Sequence, residues 1–335
     1  MRELLVTKNE AGQRMDKLLA KYLNKAPKSF LYKMLRKKNI VLNDKKATGN
    51  EKLEENDVIK LYLSEETIDG FREAVKAESY QKPAISTSGR SKSAALPVIY
   101  EDEQILLINK PIGMLSQKAK PQDVSLVEEI IAYLLKKGDI TEESLSLFKP
   151  SVCNRLDRNT SGIVIAAKTL PAAQEMSRIL KDRSVYKEYL CIVAGEMTES
   201  SRIEGYLSKD EKTNKVTVYK NEHPEADAIS TEYFPVMHKD GYTLLRVHLI
   251  TGRSHQIRAH LASIGHPLIG DGKYGKQKVN ERFYKEYKLN SQLLHSSKLI
   301  FPELKGGLSY LSGKEFTAPE PALFKRIKNQ LFKEA

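Results

Sequence analysis

The feature that most constrains this chain is a break in its apolar pattern between about residues 65 and 95. Across that interval the chain loses the periodicity that helices and strands need to bury one face. Residues 86–95 contain only Ser, Thr, Gly, Arg, Lys and Ala, a composition typical of a flexible linker. A short helix near residues 71–78 is the one element the interval favours. We therefore predict a small N-terminal domain (1–65), a linker (66–95) and a larger domain (96–330).

Composition restricts the partners of such a chain. Its 335 residues are enough for two domains with a large core. Lys and Arg outnumber Asp and Glu by 55 to 43, and the net charge of +12 indicates an anionic partner, either nucleic acid or a membrane surface. The sequence contains no run of 18 apolar residues, so we expect no membrane span. The first residues lack the apolar core of a signal peptide. Cys153 and Cys191 lack metal-ligand spacing, so we expect reduced thiols in a cytoplasmic protein.

Positive charge is concentrated near the N-terminus. Residues 14–46 contain eleven basic and two acidic residues, so 11 − 2 = +9 of the total +12 lies there. Apolar spacing predicts two helices in this segment, and residues 40–42 and 58–63 read as strands with a turn at Asn43 and Asp44. A solvated basic face would give the same pattern, but the one-sided sign and the compact layout of two helices and a short sheet favour a surface that binds an anionic partner. The residues that would contact such a partner, with RNA as one candidate, are Arg14, Lys28, Lys33, Arg36, Lys37, Lys38, Lys45 and Lys46.

The larger domain is predicted to be α+β, with a mixed, mainly antiparallel sheet. Strands are expected at residues 97–100, 105–109, 185–192 and 244–249. Helices are expected at about 125–137, at 171–181, and from about Ser254 onward, after the Thr-Gly turn.

Residues 154–164 hold the strongest chemical signal. Asp157 lies between Arg155 and Arg158, and nearby positive charge favours the ionised form of a carboxylate. An ionised Asp beside a polyanion-binding surface can act as a nucleophile or a base. A structural ion pair on the surface would give the same local pattern, so this segment alone leaves both readings open.

The segment resembles the catalytic signature His-Arg-Leu-Asp-x-x-Thr-Ser-Gly of the pseudouridine synthases that modify large-subunit ribosomal RNA, with Asn154 in place of the His. Three further segments match the same family in the expected order. They are Lys-x-Tyr at 187–189, Thr-Gly-Arg-x-His-Gln-hydrophobic-Arg at 251–258, and a Gly-Asp-x-x-Tyr-Gly loop at 270–275. The resemblance covers about residues 96–325. Residues 12–65 resemble the alpha-L RNA-binding domain that is appended to many RNA-modifying enzymes.

This resemblance implies a role for each matching position. Asp157 corresponds to the catalytic aspartate, Arg258 to the arginine that pairs with it, and Tyr189 to the tyrosine that contacts the uracil. The remaining positions are expected to bind substrate. Those positions are Arg155, Ile257, Arg253 and His255. A metal site at His255 and His260 is not expected, because a spacing of five does not place them on one helical face.

The family resemblance implies isomerisation of uridine to pseudouridine in RNA, most consistent with large-subunit ribosomal RNA, through base flipping and without metal or cofactor. We expect RNA as the partner, no membrane, no obligatory protein partner and a monomer. Transfer RNA is the alternative substrate. A catalytically inactive RNA-binding protein of the same fold and a nucleoside hydrolase are alternatives from other classes, and the missing Asp cluster argues against the hydrolase. A P-loop NTPase is excluded, because its phosphate-binding sequence does not occur.

Overall fold

The computed structural model describes residues 1–73, 80 and 95–333. Its N-terminal part combines two helices with a four-stranded antiparallel sheet of order β1-β4-β2-β3. The sequence predicts the two helices and the two strands near residues 40–42 and 58–63, but not the other two strands or the strand order. The elements are β1 (Arg2–Leu5), α1 (Met15–Tyr22), α2 (Lys28–Arg36), β2 (Ile40–Leu42), β3 (Lys45–Lys46), β4 (Val58–Leu61) and α3 (Glu65–Phe71).

Helix α3 differs from the expected organisation. It occupies residues that the sequence assigns to the linker, and Ile68 on its buried face packs fully into the N-terminal core. The linker prediction is wrong for this short helix. A single buried side chain cannot show the repeated apolar spacing by which a helix is recognised in a sequence. The helix expected near residues 71–78 lies mostly outside the described residues.

The larger part is built on one sheet of eleven strands. Along the sheet the main order is β11-β10-β12-β13-β9-β14-β8-β6-β5, with β15 beside β14 and β7 beside β8. Every pair is antiparallel except β14 with β8. The strands are β5 (Val98–Glu101), β6 (Ile105–Lys110), β7 (Ser151–Val152), β8 (Ser161–Ala167), β9 (Tyr186–Ala194), β10 (Ser201–Asp210), β11 (Lys215–Tyr219), β12 (Asp227–Lys239), β13 (Tyr242–Leu249), β14 (Leu294–Ile300) and β15 (Glu315–Thr317).

Helices cover this sheet and enclose its cores. They are α4 (Leu126–Lys137), α5 (Glu142–Leu147), α6 (Leu170–Lys181), α7 (Gln256–Ser263), α8 (Gln277–Tyr287), a 3-10 turn (Gly306–Leu311) and α9 (Ala322–Phe332). The α+β class with a mixed, mainly antiparallel sheet is therefore confirmed. Helix α5 also touches the N-terminal part, where Leu147 packs beside its core and Glu143 lies 3.8 Å from Arg72.

The parallel contact between β8 and β14 depends on a glycine. Gly162 has a φ of +114°, and a Cβ atom there would lie 2.1 Å from the carbonyl oxygen of Ser296. Only glycine allows so close an approach of the two backbones. This contact places the start of β8, and the loop that carries Asp157 before it, beside β14 and β9.

Candidate active site

Several hydrogen bonds hold the loop between β7 and β8, which carries Asp157. The amide of Asn154 accepts the Ile165 N–H at 2.7 Å, so it replaces a strand neighbour for β8. The Ser116 hydroxyl donates to the carbonyl of Leu156 at 2.9 Å and accepts its N–H at 3.0 Å. Asp157 itself is 26% exposed, which leaves its carboxylate reachable from solvent.

Lys110 fastens this loop to the end of β6. Its ammonium group is fully buried and donates to the carbonyl oxygens of Pro111, Met114 and Arg158 at 2.8–3.1 Å. Burial lowers the pKa of Lys110 to about 7, while the charge of Asp157 acts in the opposite direction. Three carbonyl acceptors match the three N–H bonds of an ammonium, so this lysine supports the two loops that flank Asp157.

Helix α7 brings the second half of the site. Gln256, at its first position, accepts the Thr251 hydroxyl at 2.8 Å and the Arg253 N–H at 3.1 Å, and it donates to Ser230 and Thr231. These bonds fix the Thr-Gly-Arg turn against β12. The same first turn of the helix carries Ile257 and Arg258, both of which are buried.

Arg258 binds two carboxylates. Nε and Nη2, along one edge of its guanidinium group, donate hydrogen bonds of 2.7 and 2.9 Å to the carboxylate of Asp271. Its Nη1 donates to Asp157 Oδ2 at 2.8 Å. Burial opposes ionisation of Asp271, but the bonds and charge of Arg258 outweigh it and hold the pKa of Asp271 below its ordinary value. A charge-assisted bond from so fixed a guanidinium stabilises the Asp157 anion and sets its orientation.

Tyr189 and Ile257 belong to the apolar core next to Asp157. Tyr189 on β9 is 5% exposed and belongs to the same buried cluster as Leu156, Leu249 and Ile257. Burial raises the pKa of Tyr189 to about 12, with smaller effects from its bond with Ser296 and the charge of Asp157. The phenol is therefore neutral near pH 7, and it lies close enough to Asp157 to feel its charge.

His255 faces Asp157 from the start of α7. Its backbone is left-handed, with a φ of +54°, and its Nε2 lies 3.9 Å from Asp157 Oδ2. Its Nδ1 is 2.8 Å from the hydroxyl of Tyr274. Burial lowers the pKa of His255, and the nearby charges of Asp157, Arg258, Lys273 and Asp271 modify that effect.

The structure corrects the expectation that flanking arginines hold Asp157. Arg155 and Arg158 are both exposed, and neither forms an ion pair within the described part of the chain. The cation that contacts Asp157 is Arg258, 101 residues away in sequence. Arg253, 43% exposed, pairs with Asp227 at 2.8 Å at the edge of this region. Local sequence spacing gave the wrong partner because the sheet, and not the loop, sets which charges meet.

Sequence reasoning gave no role to several residues that support the site. These are Lys110, Ser116, Asp271 and Tyr274. Asp271 and Tyr274 lie in the Gly-Asp-x-x-Tyr-Gly loop, so their motif was visible although its contacts were not. Lys110 is the last residue of β6, and its position in the sequence gives no sign of its three carbonyl contacts. Ser116 carries no sequence signal.

Metal binding and membrane insertion are two other properties that side-chain clusters and helix lengths would indicate. Within residues 1–73, 80 and 95–333, no group of three or more His, Cys, Asp and Glu side chains is arranged to hold a metal ion. Across the same residues, no helix has the length and apolar character needed to cross a membrane.

Comparison with known proteins gives a consistent result. A family model described as RNA pseudouridylate synthase matches residues 104–263. An uncharacterized RNA pseudouridine synthase of Mycoplasma genitalium is 30% identical over 310 residues, which are 90% of each chain. Ribosomal large subunit pseudouridine synthase C of Escherichia coli K12 is 29% identical over 88% of this chain and 87% of its own.

A solved structure shows the same fold. Human RNA Pseudouridylate Synthase Domain Containing 4 superposes with a TM-score of 0.57 at 20% identity, over 70% of this chain and 92% of its own. Together with the match at 30% identity along nearly the whole length, these findings establish that the chain belongs to the RNA pseudouridine synthase family.

Proposed function

We propose that this protein isomerises specific uridines of large-subunit ribosomal RNA to pseudouridine, with Asp157 as the essential carboxylate. The observation that carries the proposal is the 2.8 Å pair between Asp157 and Arg258 beside the buried cluster that contains Tyr189 and Ile257, where we place the substrate cleft. The ribosomal substrate is supported by relatives named as ribosomal large subunit synthases. Those bacterial relatives also support a cytoplasmic location.

The proposed reaction breaks and reforms one glycosidic bond. The bond between N1 of uracil and C1′ of ribose breaks, the base rotates, and C5 bonds to C1′. The C5 proton then leaves and N1 gains a proton, so nothing is oxidised and no group is consumed. Asp157 either attacks C1′ or removes the ribose 2′ proton, and both routes need its ionised carboxylate.

The neighbours of Asp157 suit these steps. Arg258 holds the carboxylate charged and oriented, Tyr189 supplies a neutral ring against the uracil near the departing C5 proton, and Ile257 adds an apolar surface. His255 offers a ring nitrogen beside the carboxylate. All of these groups come from one chain, which supports action as a monomer without an obligatory protein partner.

The exposed cations around the cleft fit an RNA substrate. Arg155 has no ion pair within the described residues and stands two positions from Asp157, where it can contact RNA as the target base leaves its stack. Flipping a nucleotide costs a few kcal/mol, which such contacts offset. Arg253 is proposed to bind RNA phosphate by exchanging its surface pair with Asp227.

We further propose that the N-terminal part is an alpha-L RNA-binding domain, comprising residues 1–65 together with α3. All eight predicted RNA-binding residues are exposed, and apart from Arg14 none forms an ion pair within the described residues. Arg14 instead binds Asp16 and Asn50. A surface of unpaired cations is available to neutralise phosphates.

Mapping pseudouridines in cellular RNA tests the substrate. Deletion of the gene should remove pseudouridine from a small set of positions in large-subunit ribosomal RNA, and the intact gene should restore them. Loss confined to transfer RNA would replace the ribosomal proposal with the transfer-RNA alternative.

Nucleoside analysis of RNA incubated with the purified protein tests the reaction. An isomer of unchanged mass is expected in place of uridine. Release of free uracil would indicate a hydrolase, and no product from an RNA that the protein binds would favour an inactive RNA-binding protein.

A further inference from the structure

Tyr274 stands at a junction between the active site and the hairpin formed by β10 and β11. Its ring lies against the guanidinium of Arg258, with 5.2 Å between Cζ and the ring centroid. Its hydroxyl accepts the backbone N–H of Val216 on β11 at 3.0 Å and lies 2.8 Å from Nδ1 of His255. One side chain therefore touches the arginine, the histidine and the neighbouring hairpin.

The two hydrogen bonds of the Tyr274 hydroxyl indicate which ring nitrogen of His255 carries the proton. Val216 N–H can only donate, so the Tyr274 hydroxyl must accept from it. The hydroxyl has one proton of its own, and His255 Nδ1 is its acceptor among the described residues. If Nδ1 carried a proton instead, the hydroxyl would accept two hydrogen bonds and its own proton would need an acceptor outside the described residues. The contacts therefore favour Nδ1 as the acceptor, which places the proton of the neutral ring on Nε2.

That assignment gives the other side of the ring a chemical role. Nε2 points toward Asp157 Oδ2 across 3.9 Å, which is longer than a hydrogen bond. Its N–H has no acceptor among the described residues and lies beside the carboxylate, on a side chain that is 9% exposed. The left-handed backbone of His255, uncommon for a residue with a side chain, holds the ring in this position.

We propose that Tyr274 is a positioning residue, whose hydroxyl holds His255 as the Nε2–H tautomer so that a neutral donor meets an oxygen of the target nucleotide beside Asp157. The proposal rests on the proposed function for the identity of that nucleotide. The bond to Val216 makes the arrangement depend on the seating of the β10–β11 hairpin. Phenylalanine at position 274 would keep the ring on Arg258 and remove only the hydroxyl.

The charges around His255 set the expected pH behaviour. Asp157 and Asp271 favour its protonated form, whereas Arg258 and Lys273 oppose it, and burial lowers its pKa below the ordinary value. Activity that needs neutral His255 persists below the usual titration range of histidine. A hydrogen bond to Nδ1 favours the neutral ring, so Tyr274→Phe should raise the pKa of His255 and move the acid limb of the rate profile to higher pH.

A double-mutant cycle tests whether Tyr274 acts through His255. The variants are Tyr274→Phe, His255→Gln and the double variant, since the amide nitrogen of Gln reaches about as far as Nε2 but has no tautomer. Single-turnover pseudouridine formation should fall by about tenfold in Tyr274→Phe, the effect of about one lost hydrogen bond, with RNA affinity changed by less than about twofold. In the His255→Gln background the same change should cost less than about twofold. An equal loss in both backgrounds would overturn the proposal.

Nitrogen-15 NMR of the histidine rings supplies a readout that needs no catalysis. The seven histidines are assigned by substitution, and His255 of the unaltered protein should show a protonated Nε2 and an unprotonated Nδ1. Tyr274→Phe should mix the two tautomers, whereas Tyr133→Phe, which removes a phenol bound to Glu101, should leave them unchanged. A protonated Nδ1 in the neutral ring of the unaltered protein would refute the proposal, even if Tyr274→Phe did not fold. Absence of pseudouridine formation with this tautomer intact would instead count against the proposed function.

Discussion

The two ends of β8 carry the same kind of charge arrangement with different surroundings. At the start of the strand, buried Arg258 bridges Asp271, which is fully buried, and Asp157, which is 26% exposed. At its end, buried Lys168 bridges Glu101 and the 24% exposed Asp139, at 2.9 and 2.6 Å. Each end thus has a buried cation that bridges two carboxylates, one of them reachable from solvent. The start of the strand has a second buried cation, Lys110, which binds backbone carbonyls.

The two ends differ in how many hydrogen bonds their carboxylates accept from other side chains. Glu101 also accepts hydrogen bonds from Tyr133 at 2.7 Å and Lys137 at 2.9 Å, and Lys137 lies 3.3 Å from Asp139. Among the described residues Asp157 accepts a side-chain hydrogen bond from Arg258 alone, and it lies beside the apolar cluster that contains Tyr189 and Ile257. A fully bonded carboxylate stabilises the fold, whereas a carboxylate with free lone pairs beside an apolar wall can act on a substrate.

The largest expected effect comes from removing the cation at each end. Arg258→Met leaves Asp271 buried without its two-bond partner, which should cost roughly 3–5 kcal/mol of unfolding free energy and abolish turnover. Lys168→Met leaves Glu101 with Tyr133 and Lys137, so the cost should be smaller, roughly 1.5–3 kcal/mol, with turnover of the folded protein retained. Urea unfolding and single-turnover assays measure both. Loss of turnover in folded Lys168→Met would remove the distinction between the ends.

A smaller effect is expected from the exposed N-terminal lysines. If the Asp157 end of β8 supplies chemistry, much of the RNA affinity should come from elsewhere. Replacing Lys33, Lys37 and Lys38 by Gln should weaken binding and reduce the slope of log affinity against log salt by about 2, at about 0.7 per lost phosphate contact. The same replacement at exposed Lys285, Lys288 and Lys325 is the matched control. An unchanged slope in the first variant would show that this surface does not dock RNA.

The smallest expected effect is a change in how the unfolding free energy depends on pH, caused by Glu101 at the Lys168 end of β8. Burial opposes ionisation of Glu101, but bonds from Lys137, Tyr133 and Lys168 outweigh it and lower its pKa to about 2 from 4.5. A lowered carboxylate pKa stabilises the fold above about pH 4.5, and that contribution is lost as the pH falls toward 2. Glu101→Gln should therefore flatten the acid side of the stability curve in this window. Unfolding free energy measured from pH 2 to 6 checks it, and an unaltered curve would mean that Glu101 is not so held.

Sequence reasoning named three residues that the structure brings close together, but not the residues that support them. Asp157, Tyr189 and Arg258 came from motif resemblance, and in the structure Arg258 binds Asp157 while Tyr189 lies near enough to sense its charge. Apolar periodicity also predicted the main strands and helices, because alternating or helical burial is written locally. The partner of Asp157 was first assigned to Arg155 and Arg158 because adjacency is the only proximity that a sequence displays.

The remaining contacts depend on topology. Lys110 reaches Arg158 across 48 residues, and Ser116 reaches Leu156 across 40. These contacts depend on the pairing of β6 with β8. Nothing in a lysine or a serine of the sequence indicates so distant a partner. The family motifs marked the positions of Asp271 and Tyr274, but only the folded loop shows that both contact Arg258.

The central claim is that Asp157, and not the equivalent carboxylate at the other end of β8, acts on the substrate. Single-turnover pseudouridine formation by Asp157→Asn and Asp139→Asn, with RNA affinity measured in parallel, tests it most directly. We expect Asp157→Asn to bind RNA normally and to lose roughly ten-thousandfold or more in rate, the scale of removing an essential carboxylate. Asp139→Asn should retain the rate within about twofold, because one neutralised surface carboxylate leaves the cleft intact. Substantial turnover by Asp157→Asn, or an equal loss in both variants, would contradict the account.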